Sequence, residues 1–582
     1  MRVPRFHIHA VLCLAVLAGC RQDDTADSTE ARRPNILLIV ADDMGYTDLG
    51  SFGGEIRTPH LDELAFGGVR LTNFHVHPSC APTRTALISG TYPHLAGMGT
   101  QLVTIARFNG DPLVEARRGK PGYEGHLTDR IVPIPKLLQD AGYRTYMVGK
   151  WHLGETPELS PAAQGFHRSF GLKFGSAVHF ANVPAERYWE DGETLESMPN
   201  EFYSTDFYTD KFLSFLEESK ENPAPWFSYM AYTSPHWPLQ VPEDWLDKYE
   251  GKYDGGYDEL RKQRIAGAVE VGVISERARD KPAEPFARTW NSLSDEERSK
   301  YSRAMEIYAS MVENLDYNVG RIVELLDETG ELDNTVIVFM SDNGAASSDL
   351  DFARRAPRRP ERINNDLENF GRADSFVTYG PGWAQAGMGP YHLHKGTVAS
   401  GGIRAAAFVN HSSVIRKGWT ESAFLTVRDL SATLLDLAGV EHPGTTYQGR
   451  PVHELEGASF APLLTEEGAD LNRPDTVFLW EHDGQVALVK DNWKYSRLKS
   501  PHGPRRTAPG WQLYNMIDDP GETTDVSAEQ PELVAEFKGA WERVASSGEM
   551  ILYPELPRRP NTPAPLLERR PGGNVVKEFR AH

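Results

Sequence analysis

Short apolar runs alternate with helical patterns along most of this chain. Four runs have the continuous apolar character of parallel strands buried on both faces, at residues 35–40, 143–148, 226–232 and 336–340. Helix candidates lie between them, at residues 134–141, 207–219 and 302–329. This alternation predicts an α/β fold in which helices flank a large, mixed but mostly parallel central sheet.

The pattern changes near residue 471. Three short strand candidates, at residues 476–480, 485–489 and 493–497, are separated by Asp483-Gly484 and Asp491-Asn492, which favour tight antiparallel turns. A helix candidate follows at residues 532–546. We therefore predict a main domain over residues 34–470 and a smaller antiparallel sheet with one helix over 471–552. A surface tail rich in Pro and Arg would follow over 553–582.

Two stretches of the main domain fit neither strand nor helix well. Residues 251–300 are highly charged, and residues 345–390 have no clear period. We expect both to be insertions that lie over one edge of the sheet.

Residues 1–19 have the features of an export signal. Arg2 and Arg5 precede an apolar run, residues 10–17, that is too short to span a bilayer. The run leads through Leu17-Ala18-Gly19 to Cys20, which is typical of a bacterial lipoprotein signal with Cys20 as the acylated residue. An ordinary cleaved signal peptide is the alternative. We expect residues 20–33 to be a flexible tether, and the protein to be exported to the periplasmic side of a bacterial membrane and held there by lipid alone.

Charge and cysteine content narrow the function classes. The formal net charge of −21 disfavours nucleic acid as a partner. The chain has three cysteines, of which Cys13 would leave with the signal and Cys20 would be acylated. Cys80 is then an isolated thiol with no internal disulfide partner.

Candidate chemistry follows the predicted strands, at the edge where ligands bind in open α/β sheets. The residues at these strand ends are Asp42 and Asp43, Lys150 and His152, His236, and Asp342 and Asn343. Each taken alone could be a helix cap or a structural residue. Three carboxylates in one pocket, however, would repel one another without a cation, and their oxygen ligands favour Ca²⁺ or Mg²⁺ over zinc. Lysine and histidine beside them would suit an anionic substrate group.

Cys80 lies in the segment Ser-Cys-Ala-Pro-Thr-Arg at residues 79–84. A helix over residues 83–89 with Pro82 in its first turn would place Cys80 at a helix N-terminus, where anions bind. Arg84 adds a fixed positive group. The alternative is that Cys80 is a small buried apolar residue.

These residues resemble the sulfatase family. Cys80-Ala-Pro-Thr-Arg84 and the following LISG resemble its signature, and further blocks occur in the family's order: NILLIVADDMGYTDLG, GKWHLG, SPHWPL, SDNGA and HKGTVASGGIR. TYGPGWAQA and WQLYNMIDDPGETTDV resemble the bacterial arylsulfatase branch in particular. The resemblance covers about residues 34–550 and implies an alkaline phosphatase-like fold, with residues 34–470 as the catalytic domain.

The resemblance implies that Cys80 is oxidised to Cα-formylglycine (3-oxoalanine) by a separate maturation enzyme. One hydroxyl of the hydrated aldehyde would attack the sulfate sulfur while the alcohol or phenol leaves. The second hydroxyl would then lose its proton, the bound sulfate would be released, and the aldehyde would re-form. The implied activity is that of an arylsulfatase, which hydrolyses a sulfate ester to an alcohol or phenol and inorganic sulfate.

The resemblance also implies roles for the site residues. Ca²⁺ rather than Mg²⁺ would be bound by a hydroxyl of modified Cys80 together with Asp42, Asp43, Asp342 and Asn343. Arg84 would hold the hydrated formylglycine. Lys150, His236 and Lys395 would contact the sulfate, and His236 and Lys395 would assist the leaving oxygen. His152 would be the base for the second step.

Two departures from the family pattern and two other functions remain open. Thr83 stands where the family often has Ser, and Ser400 stands where its Glu-Gly-Gly-x-Arg block has an acid.

A phosphonate or phosphate monoester hydrolase of the same superfamily is one alternative function. A lipoprotein that binds sulfated ligands through an unmodified Cys80 is the other. The substrate is expected to be a small sulfate ester, aryl by default, or a sulfated glycan.

Overall fold

The computed structural model describes residues 32–99, 101, 112–350, 363–411, 416–471, 473, 476–498, 510–547 and 550. The predicted signal at 1–19, nearly all of the tether at 20–33 with Cys20, and the tail at 553–582 lie outside these residues. The described part of the chain contains no helix that is both long and apolar enough to cross a bilayer.

A ten-stranded sheet forms the centre of the molecule, in the order β11-β2-β10-β9-β1-β8-β4-β5-β6-β7. The strands of the chain are β1 (Asn35–Ala41), β2 (Val69–Leu71), β3 (Phe74–His75), β4 (Arg144–Lys150), β5 (Arg168–Leu172), β6 (Tyr188–Glu190), β7 (Glu193–Thr194), β8 (Trp226–Ala231), β9 (Thr335–Ser341), β10 (Ala407–Asn410), β11 (Trp419–Glu421), β12 (Leu425–Thr426), β13 (Thr446–Tyr447), β14 (Arg450–Pro451), β15 (Phe478–His482), β16 (Gln485–Lys490), β17 (Trp493–Arg497) and β18 (Gln512–Asn515). The four strands predicted from apolar runs are the adjacent strands β9, β1, β8 and β4, and each pairs with its neighbour in parallel. Antiparallel pairing of β10 with β9 and of β6 with β5 makes the sheet mixed, so the predicted fold class is confirmed.

Both faces of the central strands are buried, which explains their continuous apolar character. In β1, Leu37, Ile39 and Ala41 belong to one hydrophobic cluster. Ile36, Leu38 and Val40 belong to a second cluster on the opposite face. The sheet therefore lies between two layers of helices.

The helices are Pro59–Gly67, Cys80–Ser89, Pro112–Arg117, Ile134–Asp140, Ser204–Glu218, Tyr257–Glu270, Glu276–Asp280, Asp295–Glu328, Pro381–Met388, Ser400–Ile403, Val427–Leu437, Ala461–Thr465 and Pro531–Ser547. The predicted helices are present, and the longest begins seven residues earlier than the apolar pattern indicates. Its first turn is Asp-Glu-Glu-Arg, which carries no apolar signal, but Ser294 and Glu297 form a capping box that fixes the start.

Residues 251–300 are less peripheral than their charge predicts. Helix Tyr257–Glu270 buries Tyr257, Leu260 and Ile265 in the larger hydrophobic cluster, together with Trp290 and Trp383. Glu259 and Lys262 of this helix are exposed, but Arg264 is buried and pairs with Asp48 and Glu55. This stretch therefore contributes to the core as well as to the surface.

The C-terminal part of the described chain contains a four-stranded antiparallel sheet, in the order β15-β16-β17-β18. Asp483 and Gly484 both have positive φ angles, 49° and 86°, as the tight turn between β15 and β16 requires. The fourth strand, β18, was not predicted. Helix Pro531–Ser547 covers one face, where the Phe537 ring stacks on Tyr495 with centroids 5.8 Å apart.

Candidate active site

The carboxyl ends of β1, β4, β8 and β9 bring the predicted site residues to one edge of the sheet. Asp42 and Asp43 directly follow β1, and Asp342 and Asn343 directly follow β9. Strands β1 and β9 pair in parallel, so the two pairs of residues lie at the same edge. Lys150 is the last residue of β4, and His236 lies five residues beyond β8. These side chains are all buried, with exposed fractions of at most 5%.

Three carboxylates and three cations face one another in this pocket. The Lys150 Nζ donates to both oxygens of Asp42, at 2.8 and 2.7 Å. The Arg84 Nε donates to Asp342 Oδ2 at 2.9 Å. The Lys395 Nζ donates to Asp43 Oδ1 at 2.5 Å. Burial opposes ionisation of Asp43, but Lys395, His236 and Lys150 together hold its pKa well below the usual range. Burial and the neighbouring Asp42 raise the pKa of Asp342.

A cation would fit among these oxygens. Ligand atoms of Asp42, Asp43, Cys80 and His236 all lie within 4.8 Å of one another. Asp43 Oδ2 and Asn343 Oδ1 are buried and accept no hydrogen bond from any described residue. The Asn343 amide nitrogen donates to Asp43 Oδ1 at 2.7 Å. Buried oxygens without a donor, in a set dominated by carboxylates, match the ligands of a hard divalent ion.

The set of ligand atoms that lie close together differs in part from the ligand set that the family resemblance implies. It includes His236, whose Nε2 lies 3.4 Å from Asp43 Oδ2. It omits Asp342, whose Oδ2 is bonded by Arg84 and whose Oδ1 accepts from the Asp43 backbone N–H at 3.3 Å. Asp342 nevertheless borders the same pocket.

Cys80 is the first residue of helix Cys80–Ser89 and is 4% exposed. Its Sγ lies 3.5 Å from Asp42 Oδ1 and accepts a hydrogen bond from Lys395 Nζ at 3.1 Å. Burial, with the Asp342 charge adding to it, raises the pKa of the thiol to about 12. The thiol is therefore protonated at neutral pH and is a poor nucleophile in this form.

The helix begins three residues before the predicted start. Ser79 is extended and its carbonyl accepts from the Thr83 backbone N–H at 3.2 Å, so the first turn encloses Cys80. The Thr83 hydroxyl accepts from the His77 N–H at 2.9 Å and donates to the His77 carbonyl at 3.2 Å. Thr83 thus fixes the segment that leads into the helix.

Arg84 connects three of the strands at their ends. Besides Asp342 after β9, its guanidinium donates to the Lys150 carbonyl of β4 and to the Tyr229 hydroxyl of β8, each at 3.1 Å. The side chain is fully buried. These bonds hold Arg84 rigidly beside Cys80, one helical turn away.

The two histidines of the site are both neutral at physiological pH. Burial, with Lys150 and Arg84 adding to it, lowers the pKa of His152 well below 6.5. Burial also lowers the pKa of His236, to about 3. His236 Nδ1 lies 2.6 Å from the Trp237 carbonyl, which only accepts, so Nδ1 carries the proton and Nε2 is the free base. His152 has a positive φ of 59°, a strained backbone conformation for a residue other than glycine.

Sequence reasoning missed several residues that support the site. His179 is buried, with Nε2 3.0 Å from the His236 carbonyl and Nδ1 2.7 Å from the Ser204 hydroxyl. Gly175 leaves room for the His152 ring, because a Cβ at that position would overlap it. Glu522 accepts from the Ser400 backbone N–H at 2.8 Å. His179 and Gly175 lie in no motif quoted above. Glu522 lies in the block WQLYNMIDDPGETTDV, but its contact with Ser400 joins distant parts of the chain and has no signal in that block.

The arrangement suits displacement at an anionic ester. Two lysines and an arginine would offset the charge of the substrate, and position 80 lies at a helix N-terminus whose N–H groups attract anions. Two neutral histidines can take up protons. The Trp237 ring lies beside His236, and the Phe376 ring lies against Trp237 with centroids 5.8 Å apart. The two rings form an apolar surface next to the charged pocket.

Several known proteins are similar to this chain in sequence or in fold. A sulfatase family model matches residues 34–440. The chain is 39% identical over 528 residues to an uncharacterized sulfatase of Schizosaccharomyces pombe. The aligned region covers 88% of this chain and 93% of that relative. The chain is 35% identical over 448 residues to an arylsulfatase of Klebsiella aerogenes, which covers 75% of this chain and 93% of the relative.

Among solved structures, Ps i-CgsB has a similar fold, with a TM-score of 0.61 and 24% identity over 88% of this chain and 93% of that chain. That protein is also known in complex with k-i-k-neocarrahexaose. Every residue of the pocket, from Asp42 to Lys395, lies within the range that the family model matches.

Proposed function

This chain belongs to the sulfatase family and is a sulfuric ester hydrolase, and we propose that it is an arylsulfatase that acts through formylglycine at position 80 and a bound Ca²⁺ ion. The observation that carries this proposal is the environment of Cys80. Its Sγ contacts Asp42 and Lys395 inside a buried pocket of carboxylates and cations. A thiol held protonated there has little use as a nucleophile. Formylglycine would supply a hydrated aldehyde, with a hydroxyl in place of Sγ as the attacking oxygen.

The residues that would hold Ca²⁺ are Asp42, Asp43, Asp342 and Asn343, with the modified residue 80. Their support is the donor set itself, together with the two buried oxygens of Asp43 and Asn343 that accept no hydrogen bond within the described chain. When bound, the ion would supply positive charge to orient the nucleophile and offset the charge of the sulfate.

The chain's own cations would bind and orient the substrate. Lys150 and Lys395 both reach the pocket that contains Sγ, and Lys395 is the closer, with 3.1 Å between Nζ and Sγ. We infer that their ammonium groups contact sulfate oxygens and that Lys395 assists the leaving oxygen. Arg84 is fixed by three groups and would hold position 80 rather than move during the reaction.

The histidines would move protons. His236 has a free Nε2, which can accept the proton that the attacking hydroxyl gives up and deliver it to the leaving oxygen. His152 is neutral because burial lowers its pKa, so it can act as the base for release of sulfate. His236 Nε2 lies within 4.8 Å of the other ligand atoms of the pocket, including Cys80 Sγ, and His152 lies two residues beyond the end of β4.

Two measurements test this proposal. Peptide mass spectrometry of the segment that contains Cys80, from protein made in its native host, should show the aldehyde mass; thiol in every molecule would overturn the catalytic role of position 80. Rates on an aryl sulfate and on the matching aryl phosphonate should favour the sulfate. Faster turnover of the phosphonate would instead assign the protein to the phosphonate or phosphate ester hydrolases.

The substrate class is proposed from the apolar surface beside the pocket. Trp237 lies against the His236 ring, with centroids 4.6 Å apart, and would pack on an aromatic leaving group. The relative from Klebsiella aerogenes is named as an arylsulfatase. Sugar rings also pack on tryptophan, so a panel of aryl, alkyl and carbohydrate sulfates should show the highest kcat/KM for aryl esters. A clear preference for a sulfated glycan would correct the substrate class.

We also propose that the protein is a periplasmic lipoprotein that requires a formylglycine-generating maturation enzyme. The lipoprotein signal rests on the sequence leading into Cys20. Cys20→Ser should move the protein from the membrane fraction to the soluble fraction of a bacterial host while leaving sulfatase activity unchanged. Expression without the maturation enzyme should give folded protein with a Cys80 thiol and no turnover.

A further inference from the structure

We propose that Glu522, from the C-terminal part of the chain, is a positioning residue for Lys395. The inference rests on the proposed role of Lys395 at the leaving oxygen. Glu522 lies in the segment after β18, more than a hundred residues from Lys395 in sequence, and its carboxylate does not touch the reacting position. It acts through the segment 392–400, which carries Lys395 and is called the lysine loop below.

Glu522 is a fully buried charge with specific partners. Its Oε1 accepts from the Ser400 backbone N–H at 2.8 Å, from the Ser400 hydroxyl, and from Lys494 Nζ at 2.7 Å. Its Oε2 lies 3.5 Å from His392 Nδ1. The Glu522 side chain is 0% exposed, and that of Lys494 1%. Burial opposes the charge of Glu522, but Lys494 and His392 hold its pKa well below the usual value. A buried carboxylate that stays ionised depends on these partners, and its bonds restrain the positions of the groups that donate to it.

The partners of Glu522 lie at the two ends of the lysine loop. His392 begins the loop and Ser400 ends it, and the Gly401 backbone N–H donates to the His392 carbonyl at 2.7 Å. A Cβ on Gly401 would overlap the Leu393 carbonyl, so the loop is closed tightly on its own ends. Glu522 thus bonds to Ser400 at one end of the segment that projects Lys395 into the pocket, and its second oxygen lies beside His392 at the other end.

The C-terminal sheet supports the middle of the same loop. The Gln485 amide of β16 donates to the Gly396 carbonyl at 2.8 Å. Four apolar residues of the loop and the helix after it share a hydrophobic cluster with the sheet: Leu393, Val398, Ala399 and Ile403 with Trp480, Ala487 and Val489. The other side of the loop faces the catalytic segment, where the Gly396 N–H donates to the Pro78 carbonyl at 2.7 Å.

These contacts determine where the Lys395 ammonium lies. Its Nζ reaches Asp43 Oδ1 and Cys80 Sγ at hydrogen-bond distance, so its position depends on the loop that carries it. A shift of about 1 Å in a catalytic group can reduce a rate about 100-fold. Glu522 therefore sets the geometry of leaving-group assistance from outside the pocket.

The test uses Glu522→Gln, which keeps the shape and an acceptor for Ser400 but removes the charge that faces Lys494 and His392. We expect kcat on aryl sulfates to fall about 10- to 100-fold while KM changes less than about twofold. The loss should grow along a series of phenyl sulfates as the phenol becomes a poorer leaving group. Lys395→Ala should show the same trend more strongly, because assistance matters most for poor leaving groups.

A double variant decides whether Glu522 acts through Lys395. Glu522→Gln should add less than about a twofold loss in the Lys395→Ala background, because residues that act through one group are not additive. The matched control is Asp519→Asn, in the same turn, whose carboxylate accepts from the Thr523 and Thr524 N–H groups, both at 2.8 Å, and from the Thr523 hydroxyl, with no contact to the lysine loop. It should leave the leaving-group trend unchanged.

The outcomes separate the two proposals. Equal, additive losses for all substrates would assign Glu522 a structural role only and overturn this inference. A wild-type protein inactive on every sulfate ester would overturn the proposed function, and full activity in Lys395→Ala would overturn the role of Lys395. If Glu522→Gln fails to fold, Ser400→Ala, which removes only the hydroxyl contact, should give a smaller loss with the same leaving-group trend; no trend would overturn the inference.

Discussion

Cys80 is the residue on which the proposed chemistry depends. Cys80→Ala removes one sulfur atom from the first turn of a helix, so we expect turnover to fall at least about 10³-fold. The free energy of unfolding should change by about 1 kcal/mol or less, because the cavity is small. Steady-state assays and thermal melting check this. Ser89→Ala, at the other end of the same helix, should keep its activity, and turnover by purified Cys80→Ala would contradict the assignment.

Asp342 is the residue that best tests the metal site. Asp342→Asn keeps an oxygen for Arg84 but removes one charge, so added Ca²⁺ should stabilise this variant much less than the wild type. At 100 times its Kd, an ion that binds only the folded state stabilises it by about 2.7 kcal/mol. The melting temperature with Ca²⁺ and with a chelator measures this. Asp316→Asn, a buried carboxyl outside the pocket that accepts from the Leu61 N–H at 2.7 Å, should keep the full Ca²⁺ response. An equal response in Asp342→Asn would count against its role as a ligand.

Most of the pocket could be predicted at this scale because its residues follow strands. Asp42, Lys150 and Asp342 each stand where a buried apolar run ends, and parallel pairing brings those ends together. Lys395 follows no strand, and only the resemblance to a family motif placed it in the site. Glu522 lies in the block WQLYNMIDDPGETTDV, but nothing in that block indicates its contacts with the lysine loop. His179 leaves no local pattern, because burial and contacts across the fold determine its role.

At the scale of elements, the sequence predicts what is long and buried on both faces. The four central strands and the longer helices have periodic or continuous apolar patterns, and they form as expected. Strands β2, β3, β11 and β12 contain two or three residues each, too few for a pattern. They form because strands that are distant in sequence offer backbone hydrogen bonds to them. Those contacts depend on the tertiary fold and leave no signal in the local sequence.

Gly149 shows how one strand places Lys150 in the pocket. It precedes Lys150 at the end of β4 with a φ of 100°, and a Cβ there would overlap the Ala231 carbonyl of the adjacent strand. Gly149→Ala should therefore destabilise the protein by at least about 2–3 kcal/mol. Its register partner Gly171 has no positive φ, and a Cβ there would first meet Pro161 Cγ at 3.3 Å. Gly171→Ala should change the free energy of unfolding by only about 1 kcal/mol. Equal melting temperatures for the two variants would contradict this account.

At the scale of the whole molecule, the C-terminal sheet packs against segments that carry residues of the candidate site. Its change of pattern near residue 471 is visible in the sequence. Its contacts are not, since Trp480 donates from Nε1 to the Val76 carbonyl at 2.9 Å across about four hundred residues. The sheet therefore supports both the segment before Cys80 and the lysine loop, which explains why the pocket needs this part of the chain.

Buried histidines make the stability of the whole protein depend on pH. Burial lowers the pKa values of five histidines that have little exposed surface: His75, His77, His94, His179 and His236. Below pH 6.5 the unfolded chain binds protons that the folded protein excludes, so stability falls as the pH falls. Each such histidine contributes at most about 1.4 kcal/mol per pH unit. Raised carboxyl pKa values act in the opposite sense, as for Asp316, whose pKa burial raises to about 7.

The melting temperature should therefore fall as the pH is lowered from 7.5 to 5.5. In that range, the buried histidines whose pKa is lowered on folding outnumber the carboxyl groups whose pKa is raised on folding. His77→Gln should make the decline shallower, since one excluded proton is removed. Asp316→Asn should make it steeper, because the folded state loses a group that gains a proton as the pH falls. A melting temperature that rises toward pH 5.5, or variants that shift the slope in the reverse directions, would show that other groups control the acid stability of this fold.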